Sequence, residues 1–322
     1  MTANQHVDDC VPDSLDEAAQ RWSVERAKEL AAKTAPAAPP TSAARRFWRR
    51  FRHQKLAIAA AVVLIFLVLL AFFGDAIYPV DPNQQALGDK LLPIGSPKHV
   101  LGTDVFGRDV LSRLISGTSI SLAAGAIAVS VAVVLGVPLG LIAGLYRGWP
   151  DQVLSLVMDA LMSFPSLLLA IAIVAARGPG LVNSMVAIGI TQVPRLFRLV
   201  RSVVLSVREE TYVDVSRSIG TSNLRIAITH LVPNMMPPVL VQLTVFMAQA
   251  MLGEAALSFL GLGVMPPQAS WGAMLSDASR YLSSAPLMIV WPGVCIALTV
   301  LALNVLGDGL RDSLGREVRT GR

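Results

Sequence analysis

The chain has 322 residues, of which 53% are hydrophobic and 15% are charged, and its net charge is +5 at pH 7. So small a charged fraction cannot cover a water-soluble domain of this length, which excludes a soluble enzyme. Two cysteines and four scattered histidines suit neither a disulfide framework nor a metal cage, and the basic residues flank apolar stretches instead of forming a nucleic-acid-binding face.

The first 44 residues are polar and then rich in alanine and proline, a composition that predicts a disordered tail. Within this tail, residues 11–32 could form a short amphipathic helix. The basic run RRFWRRFRHQK, at 45–55, comes directly before the first apolar stretch. A cleaved secretory signal is the alternative interpretation. However, 44 residues precede the charges and no clear cleavage site follows, so we expect an uncleaved membrane span.

Six charge-free windows follow, and each is long enough for a membrane-spanning helix, which needs roughly 17 to 25 residues. The windows are Leu56–Gly74, Leu114–Tyr146, Ala160–Ala176, Gly178–Pro194, Leu231–Gly253 and Tyr281–Gly307. With the N-terminus inside, 21 of the 27 Lys and Arg residues fall on predicted cytoplasmic segments, as the positive-inside rule requires. The sequence therefore predicts an all-α membrane protein with six spans and both termini in the cytoplasm.

A further charge-free stretch, Ala255–Ser276, is long enough to be a seventh span, but it contains three glycines and the pair Pro266-Pro267. These residues would break backbone hydrogen bonding in the middle of a membrane helix. We therefore predict an extracytoplasmic loop that dips toward the protein interior.

The second window contains Gly136, Gly140 and Gly144, a spacing that predicts close packing against another helix, and Pro138 is expected to bend this helix. Asp159 and Glu254 are the charged residues at the edges of apolar windows, and both are expected to be interfacial or helix-end carboxylates.

Sequence motifs for catalysis and for ATP binding are both missing. No nucleophile and base are paired in a known motif, and no lysine follows a glycine, so the GxxxxGK[ST] phosphate loop is absent. The chain is therefore not expected to be an enzyme or to hold a cofactor, and ATP-driven work would require a partner.

The longest predicted cytoplasmic connection, roughly 195–230, carries the pattern of two short helices. The first has an apolar face, ends at Gly220, and is followed by a helix that a polar side chain can cap. The apolar positions are Tyr212, Val215 and Ile219, and the candidate caps are Ser222 and Asn223. Such a pair could accept a push from a docked protein, although two helices lying on the membrane would show the same pattern.

Asp214 lies six positions before Gly220 and nineteen before Pro233, and this spacing resembles the EAA loop of binding-protein-dependent ABC importer permeases. The sequence Asp-Val-Ser at 214–216 occupies the Glu-Ala-Ala positions of that loop. In that family the loop forms coupling helices that dock on the ATPase. The resemblance implies that the coupling residues are Glu209, Glu210, Tyr212, Asp214, Ser216, Gly220, Leu224, Arg225 and Pro233.

Other motifs resemble the C-type permease subunits of dipeptide, oligopeptide and nickel importers. They are HVLGTDVFGRDVLSR at 99–113, MDALMSFPSLLLAI at 158–171, EAALSFLGLGVMPPQASWGAML at 254–275, WPG at 291–293 and NVLGDGLRD at 304–312. The first is an outer-loop signature that either meets a binding protein or braces the loop against the spans. Its signature residues are Gly102, Asp104, Gly107, Arg108 and Asp109.

The resemblance covers residues 45–316 and implies one half of a heterodimeric pore with the type I ABC importer permease fold in a bacterial inner membrane. The implied partners are a B-type permease, two ATP-binding subunits, an extracytoplasmic substrate-binding protein and membrane lipid. The implied function is ATP-driven import of di- and oligopeptides. Nickel import by the same family is the alternative, and an ion-coupled secondary transporter is a weaker one because inverted repeats are not evident.

We expect four regions along the chain. They are a cytoplasmic tail at 1–44, a basic flank with the first span and an outer loop at 45–113, a five-helix core at 114–310 with the EAA-type loop at 209–233, and a cytoplasmic tail at 311–322.

Overall fold

The computed structural model describes residues 43–314 together with Trp22, Glu25 and Arg26. Most of the predicted tail at 1–44, including the helix predicted at 11–32 apart from those three residues, lies outside the described residues, as does the chain after Leu314. The chain divides into two compact units, Met1–Arg46 and Phe47–Arg322. The functional sites lie in the second unit.

Residues 43–314 form helices joined by loops, and within this range there are isolated β-bridges but no strand. The helices are α1 (Ala43–Phe51), α2 (Lys55–Ile77), α3 (Val110–Leu145), α4 (Trp149–Met162), α5 (Ser166–Arg177), α6 (Leu181–Arg208), α7 (Thr211–Ser218), α8 (Asn223–Ile226), α9 (Val232–Phe259), α10 (Trp271–Ser279) and α11 (Leu287–Leu314). A 3₁₀ turn covers Leu87–Asp89, and a π-helical turn, Ala227–Leu231, joins α8 to α9. The predicted all-helical fold class is confirmed.

Helices α3 and α6 form the closest helix pair of the bundle. Gly136 faces Leu196, and Gly144 faces Val204, so the residue numbers rise together and the two helices run parallel. A Cβ atom on Gly144 would lie 2.5 Å from a Val204 methyl carbon. The predicted glycine seam is therefore confirmed, and small residues bring the two backbones together as they do in membrane bundles. α3 continues as one helix through Pro138.

The direction of the helices alternates along the chain. Because α3 and α6 run parallel, α4 and α5 together must return the chain to the end where α3 begins. α9 runs opposite to α6, since Gly253 faces Ile188 while Gln192 donates a hydrogen bond to the Phe246 carbonyl oxygen (3.1 Å). The passes α2, α3, α4–α5, α6, α9 and α11 thus run to and fro through the bundle.

Within the described part of the chain, four helical segments are long and apolar enough to cross a membrane by themselves: α2, α3, the continuous run Asn223–Phe259, and α11. α4 and α5 qualify only as a pair, and the pair is bent by 93°. The third span predicted at 160–176 is not one continuous helix, because the chain breaks at 163–165, where Pro165 cannot continue a helix. By length and composition the described helices supply up to five crossings, and α6 is not among them, so the count of six crossings stays a prediction.

The stretch predicted to dip into the protein does so. α9 extends to Phe259, and the following loop leads into α10, whose first residue is the fully buried Trp271. The indole N–H of Trp271 donates to the Leu114 carbonyl oxygen (3.0 Å), and its backbone N–H donates to the Ser121 hydroxyl (3.0 Å). This segment is not among the helices able to cross a membrane.

Glu254 is not the helix-end carboxylate that the sequence suggested, because α9 continues past it for more than a turn and the side chain is buried. Its Oε1 accepts hydrogen bonds from the hydroxyls of Ser258 and Ser270, both at 2.7 Å. Ser270 in turn caps α10 by accepting from the Ala273 N–H. The carboxylate thus joins α9 to the beginning of α10.

Candidate functional site

The segment 209–231, at the end of the bundle where α3 and α6 finish, contains the predicted coupling residues except Pro233, which lies in α9. α7 ends at Ser218, and the chain turns at Gly220, whose φ of +81° is a left-handed conformation that glycine adopts at least cost. The N–H of Gly220 bonds the Arg217 carbonyl (2.9 Å), and that of Thr221 bonds the Ser216 carbonyl (3.1 Å). This pair of bonds is the Schellman motif, which fixes the direction in which the chain leaves the helix.

The second short helix begins directly after this turn. The Ser222 hydroxyl accepts from the Arg225 N–H at 3.4 Å, so the predicted cap is Ser222 rather than Asn223. α8 passes through the π-helical turn into α9, at whose start Pro233 lies. The prediction of two short helices joined at a glycine is confirmed. The predicted loop 195–230 is shorter than expected, because α6 continues to Arg208.

Segment 209–231 is held firmly against the bundle. Val213 and Ile226 are fully buried among residues of α3, α6 and α9. The Tyr212 ring contacts the His230 ring at a centroid distance of 5.4 Å, and the Ser216 hydroxyl lies 3.3 Å from His230 Nε2. Movement of this segment would therefore be transmitted directly to the long helices.

The outward face of the same segment is apolar and uncovered. Ile219 is 77% exposed, and Leu224 is 70% exposed. The other large apolar side chains of this face are Tyr212, Val215 and Ile228. We call these five residues the apolar face of segment 209–231. Exposed charged residues surround it, namely Glu209, Glu210, Asp214 and Arg225. An exposed apolar cluster rimmed by charge is typical of a protein–protein contact.

The five outer-loop signature residues lie in the loop 78–109, at the opposite end of the bundle from segment 209–231. The three charged signature residues are buried. Asp104 receives the Arg108 side chain at 2.6 Å and the backbone N–H groups of Phe106 (2.8 Å) and Arg108 (2.9 Å). Arg113 approaches the same carboxylate at 3.8 Å. Ionic groups this well enclosed fix the path of a loop and are not free to meet a partner.

Asp109 begins α3 in the same cluster. Its carboxylate caps the helix by accepting from the Ser112 N–H (2.7 Å) and contacts His99 Nδ1 (2.8 Å). Tyr78 donates to it from the end of α2 at 3.4 Å. Burial, together with the nearby Asp109 carboxylate, raises the pKa of Tyr78, so the phenol stays protonated and remains a donor.

Two glycines of the signature let backbone segments meet. Gly102 and Gly107 have positive φ values, and a Cβ on Gly102 would lie 2.3 Å from the Leu92 carbonyl oxygen. Of the two roles considered for this signature, the structure favours the bracing role over direct contact with a binding protein.

Sequence reasoning missed two polar groups of the bundle. One is the Glu254 network, since its serine partner lies sixteen residues away. The other is a row of polar residues on α6, beginning at Arg195, which was assigned to a loop. Its helical spacing of three and four residues was the signal that could have revealed it.

Residues 136–320 match the family model described as the binding-protein-dependent transport system inner membrane component. Residues 42–93 match the N-terminal TM domain of oligopeptide transport permease C. Part of the chain is also similar in structure to the MetNI methionine ABC transporter in an inward-facing conformation. That match covers 62% of this chain and 95% of the solved chain, with a TM-score of 0.52 at 18% identity, and supports the fold.

Several curated relatives match over most of their length. The glutathione transport system permease protein GsiD of Pectobacterium atrosepticum is 41% identical over 276 residues, which cover 86% of this chain and 92% of that protein. The dipeptide transport system permease protein DppC of Alkalihalophilus pseudofirmus is 41% identical over 281 residues, with coverage of 86% and 90%. The di/tripeptide transport system permease protein DppC of Pseudomonas aeruginosa is 40% identical over 294 residues, with coverage of 88% and 97%.

Proposed function

The chain belongs to the family of inner membrane components of binding-protein-dependent transport systems, and from this we propose that it forms half of the pore of an ATP-driven peptide importer. It is a multi-pass membrane permease rather than an enzyme. Its role is to convert ATP hydrolysis by a partner subunit into alternating access of the pore to the two sides of the membrane.

The observation that carries the proposal is the apolar face of segment 209–231. It is exposed on a segment whose other side is fully buried in the bundle, through Val213 and Ile226. A protein docked on this face could move the long helices without first deforming the connection. The surrounding charges, including Asp214 and Arg225, would orient the docked protein and exclude wrong partners.

We place segment 209–231 and both termini in the cytoplasm, since 19 of the 27 Lys and Arg residues then lie on the inner side even without Arg195 and Arg198 of α6. Two ATP-binding subunits would dock there, one on this chain and one on a B-type permease that completes the pore. A substrate-binding protein would approach the opposite end. It would meet exposed residues of loop 78–109, such as Leu87 and Val100, because the signature charges are buried.

Peptides are the proposed substrates because the relatives are named for glutathione, dipeptide and di/tripeptide transport. Nickel import is the alternative within the same family. Uptake of a labelled dipeptide and of labelled nickel by the assembled complex would separate the two substrates.

The docking role is tested by Ile219→Asp, which places a charge in the centre of the apolar face. Because Ile219 is 77% exposed, the change should leave the fold intact but abolish co-purification of the ATP-binding subunit. Leu87→Asp is the matched control, since Leu87 is also apolar and 64% exposed but lies in loop 78–109. Retention of the ATP-binding subunit by Ile219→Asp, at the wild-type level, would refute docking at this face.

A further inference from the structure

The second half of α6 exposes only polar residues. Between Ser184 and Val207 the exposed positions are Arg195, Arg198, Ser202 and Ser206, whereas the neighbouring Leu196 and Phe197 are fully buried. The spacing of three, four and four residues places these polar residues on one side of the helix. We call them the polar face of α6.

This face extends to the depth of the hydrocarbon layer. Leu196 packs on Gly136, and from Gly136 to Leu145 the helix α3 rises by about 14 Å. A charged group lies level with Leu145, because the Arg208 guanidinium donates a hydrogen bond to the Leu145 carbonyl oxygen at 2.9 Å. Taking the level of Arg208 as the inner edge of the hydrocarbon layer, which is about 30 Å thick, places Arg195 well inside it.

The exposed surface of α2 has the apolar composition of a lipid-facing helix and differs from the polar face of α6. On α2 the exposed residues of the central turns are Val62, Ile65, Phe66, Val68, Leu69, Phe72 and Phe73, all apolar. Polar side chains at such depth are costly in contact with lipid and therefore border water or protein. The polar face of α6 is thus not a lipid-facing surface.

Two other helices contribute polar groups to the same place. Arg198 forms an ion pair with Asp159 of α4 at 2.6 Å, and Arg195 donates to the Gln249 side-chain oxygen of α9 at 3.1 Å. All four side chains are exposed. Three separate helices thus present hydrogen-bonding groups to one open space.

The charges on this side of the bundle are not balanced. Arg198 is paired with Asp159, and Arg201 is paired with Asp151 through two bonds of 2.5 and 2.8 Å. Arg195 has only the neutral amide of Gln249 as a partner, and no carboxylate of the described residues lies within 4.0 Å of it. Its guanidinium therefore keeps free donors and an uncompensated positive charge.

We propose that the polar face of α6, with Asp159 and Gln249, lines the hydrated translocation path, and that Arg195 binds the C-terminal carboxylate of a peptide in transit. A guanidinium matches a carboxylate geometrically through two parallel hydrogen bonds. The hydrogen bond that Arg195 donates to the neutral Gln249 amide oxygen holds Arg195 in place when no peptide is present. This inference rests on the proposed function of the chain as a pore subunit.

Hydration of the face is tested by cysteine labelling of the complete transporter in proteoliposomes. In a Cys10→Ser, Cys295→Ser background, Gln249→Cys, which lies at the level of Arg195, should react with a membrane-impermeant sulfonated thiol reagent at least ten times faster than Leu69→Cys, from the lipid-type face of α2. Equal, slow labelling at both positions would overturn the proposal, because the polar face would then be packed against lipid or protein.

The carboxylate site is tested with one dipeptide and its C-terminal amide, each at a concentration that saturates the binding protein. In Arg195→Gln the ratio of free-acid to amide uptake should fall about tenfold, the effect of losing one charge-assisted hydrogen bond, and Arg195→Lys should recover part of it. An unchanged ratio in both variants would overturn the carboxylate site. Absence of ATP-dependent uptake by the wild-type complex would instead refute the proposed function.

Discussion

At the residue scale, the contact between α3 and α6 depends on glycines that leave no room for a side chain. A Cβ on Gly140 would lie 2.8 Å from the Phe197 carbonyl oxygen and 2.8 Å from Val200 Cβ. Because the Phe197 oxygen belongs to the backbone of a buried helix, it cannot move aside as a flexible side chain could. The close parallel packing of α3 and α6 therefore depends on regularly spaced glycines that lack a Cβ atom.

We expect Gly140→Ala to lower the free energy of unfolding by about 1 to 3 kcal/mol, the usual cost of overpacking a core. Thermal unfolding of the purified complex in detergent measures this change. Gly88→Ala is the control, because a Cβ there would meet no atom within 4 Å. Equal midpoints for the two variants would mean that the α3–α6 contact is looser than described.

Glu254 makes the second residue-scale prediction. Glu254→Ala leaves the buried hydroxyls of Ser258 and Ser270 without their acceptor, and each lost partner of this kind costs about 1 to 3 kcal/mol. Glu254→Gln keeps an acceptor oxygen of similar shape and should cost less. Limited proteolysis in the loop between α9 and α10 provides the measurement, with faster cleavage expected for Glu254→Ala. Identical cleavage of both variants would argue against the role of the carboxylate as a link.

At the element scale, segment 209–231 transmits force only if the turn at Gly220 is rigid. Gly220→Val places a β-branched residue at a φ of +81°, a conformation that such residues avoid. We expect peptide uptake to fall while ATP hydrolysis by the assembled complex continues, which is uncoupling. Both rates are measured in proteoliposomes, with Thr221→Val as a control beside the turn. Normal uptake by Gly220→Val would contradict the coupling role of this turn.

The elements that sequence predicted well are those whose signals are local. The end of α7 was signalled by Gly220, the start of α8 by Ser222, and the glycine seam by its own spacing. The continuation of α6 past Pro194 was missed. In the sequence, the arginines of α6 resemble the basic flank of a membrane span, and only the structure shows that they form a polar face on one helix. The burial of Glu254 was missed because it depends on Ser270, which the chain brings back from a separate helix.

At the scale of the whole molecule, the parallel run of α3 and α6 constrains the topology. When two helices run parallel, the chain between them must return across the bundle. Here α4 and α5 make that return despite the 93° bend between them. If these passes cross the membrane, Leu87 and Ile219 are separated by three crossings and lie on opposite sides. A re-entrant α4–α5 pair would leave α3 and α6 antiparallel, contrary to their parallel contact.

Single cysteines at these two positions test this topology. Both side chains are exposed, at 64% for Leu87 and 77% for Ile219, so a cysteine at either site should react readily. We expect an impermeant thiol reagent added to intact spheroplasts to label Leu87→Cys at once, and Ile219→Cys only after the membrane is permeabilised. Labelling of both without permeabilisation would put Leu87 and Ile219 on the same side of the membrane. It would contradict the assignment of these passes as membrane crossings and separate segment 209–231 from a cytoplasmic ATPase.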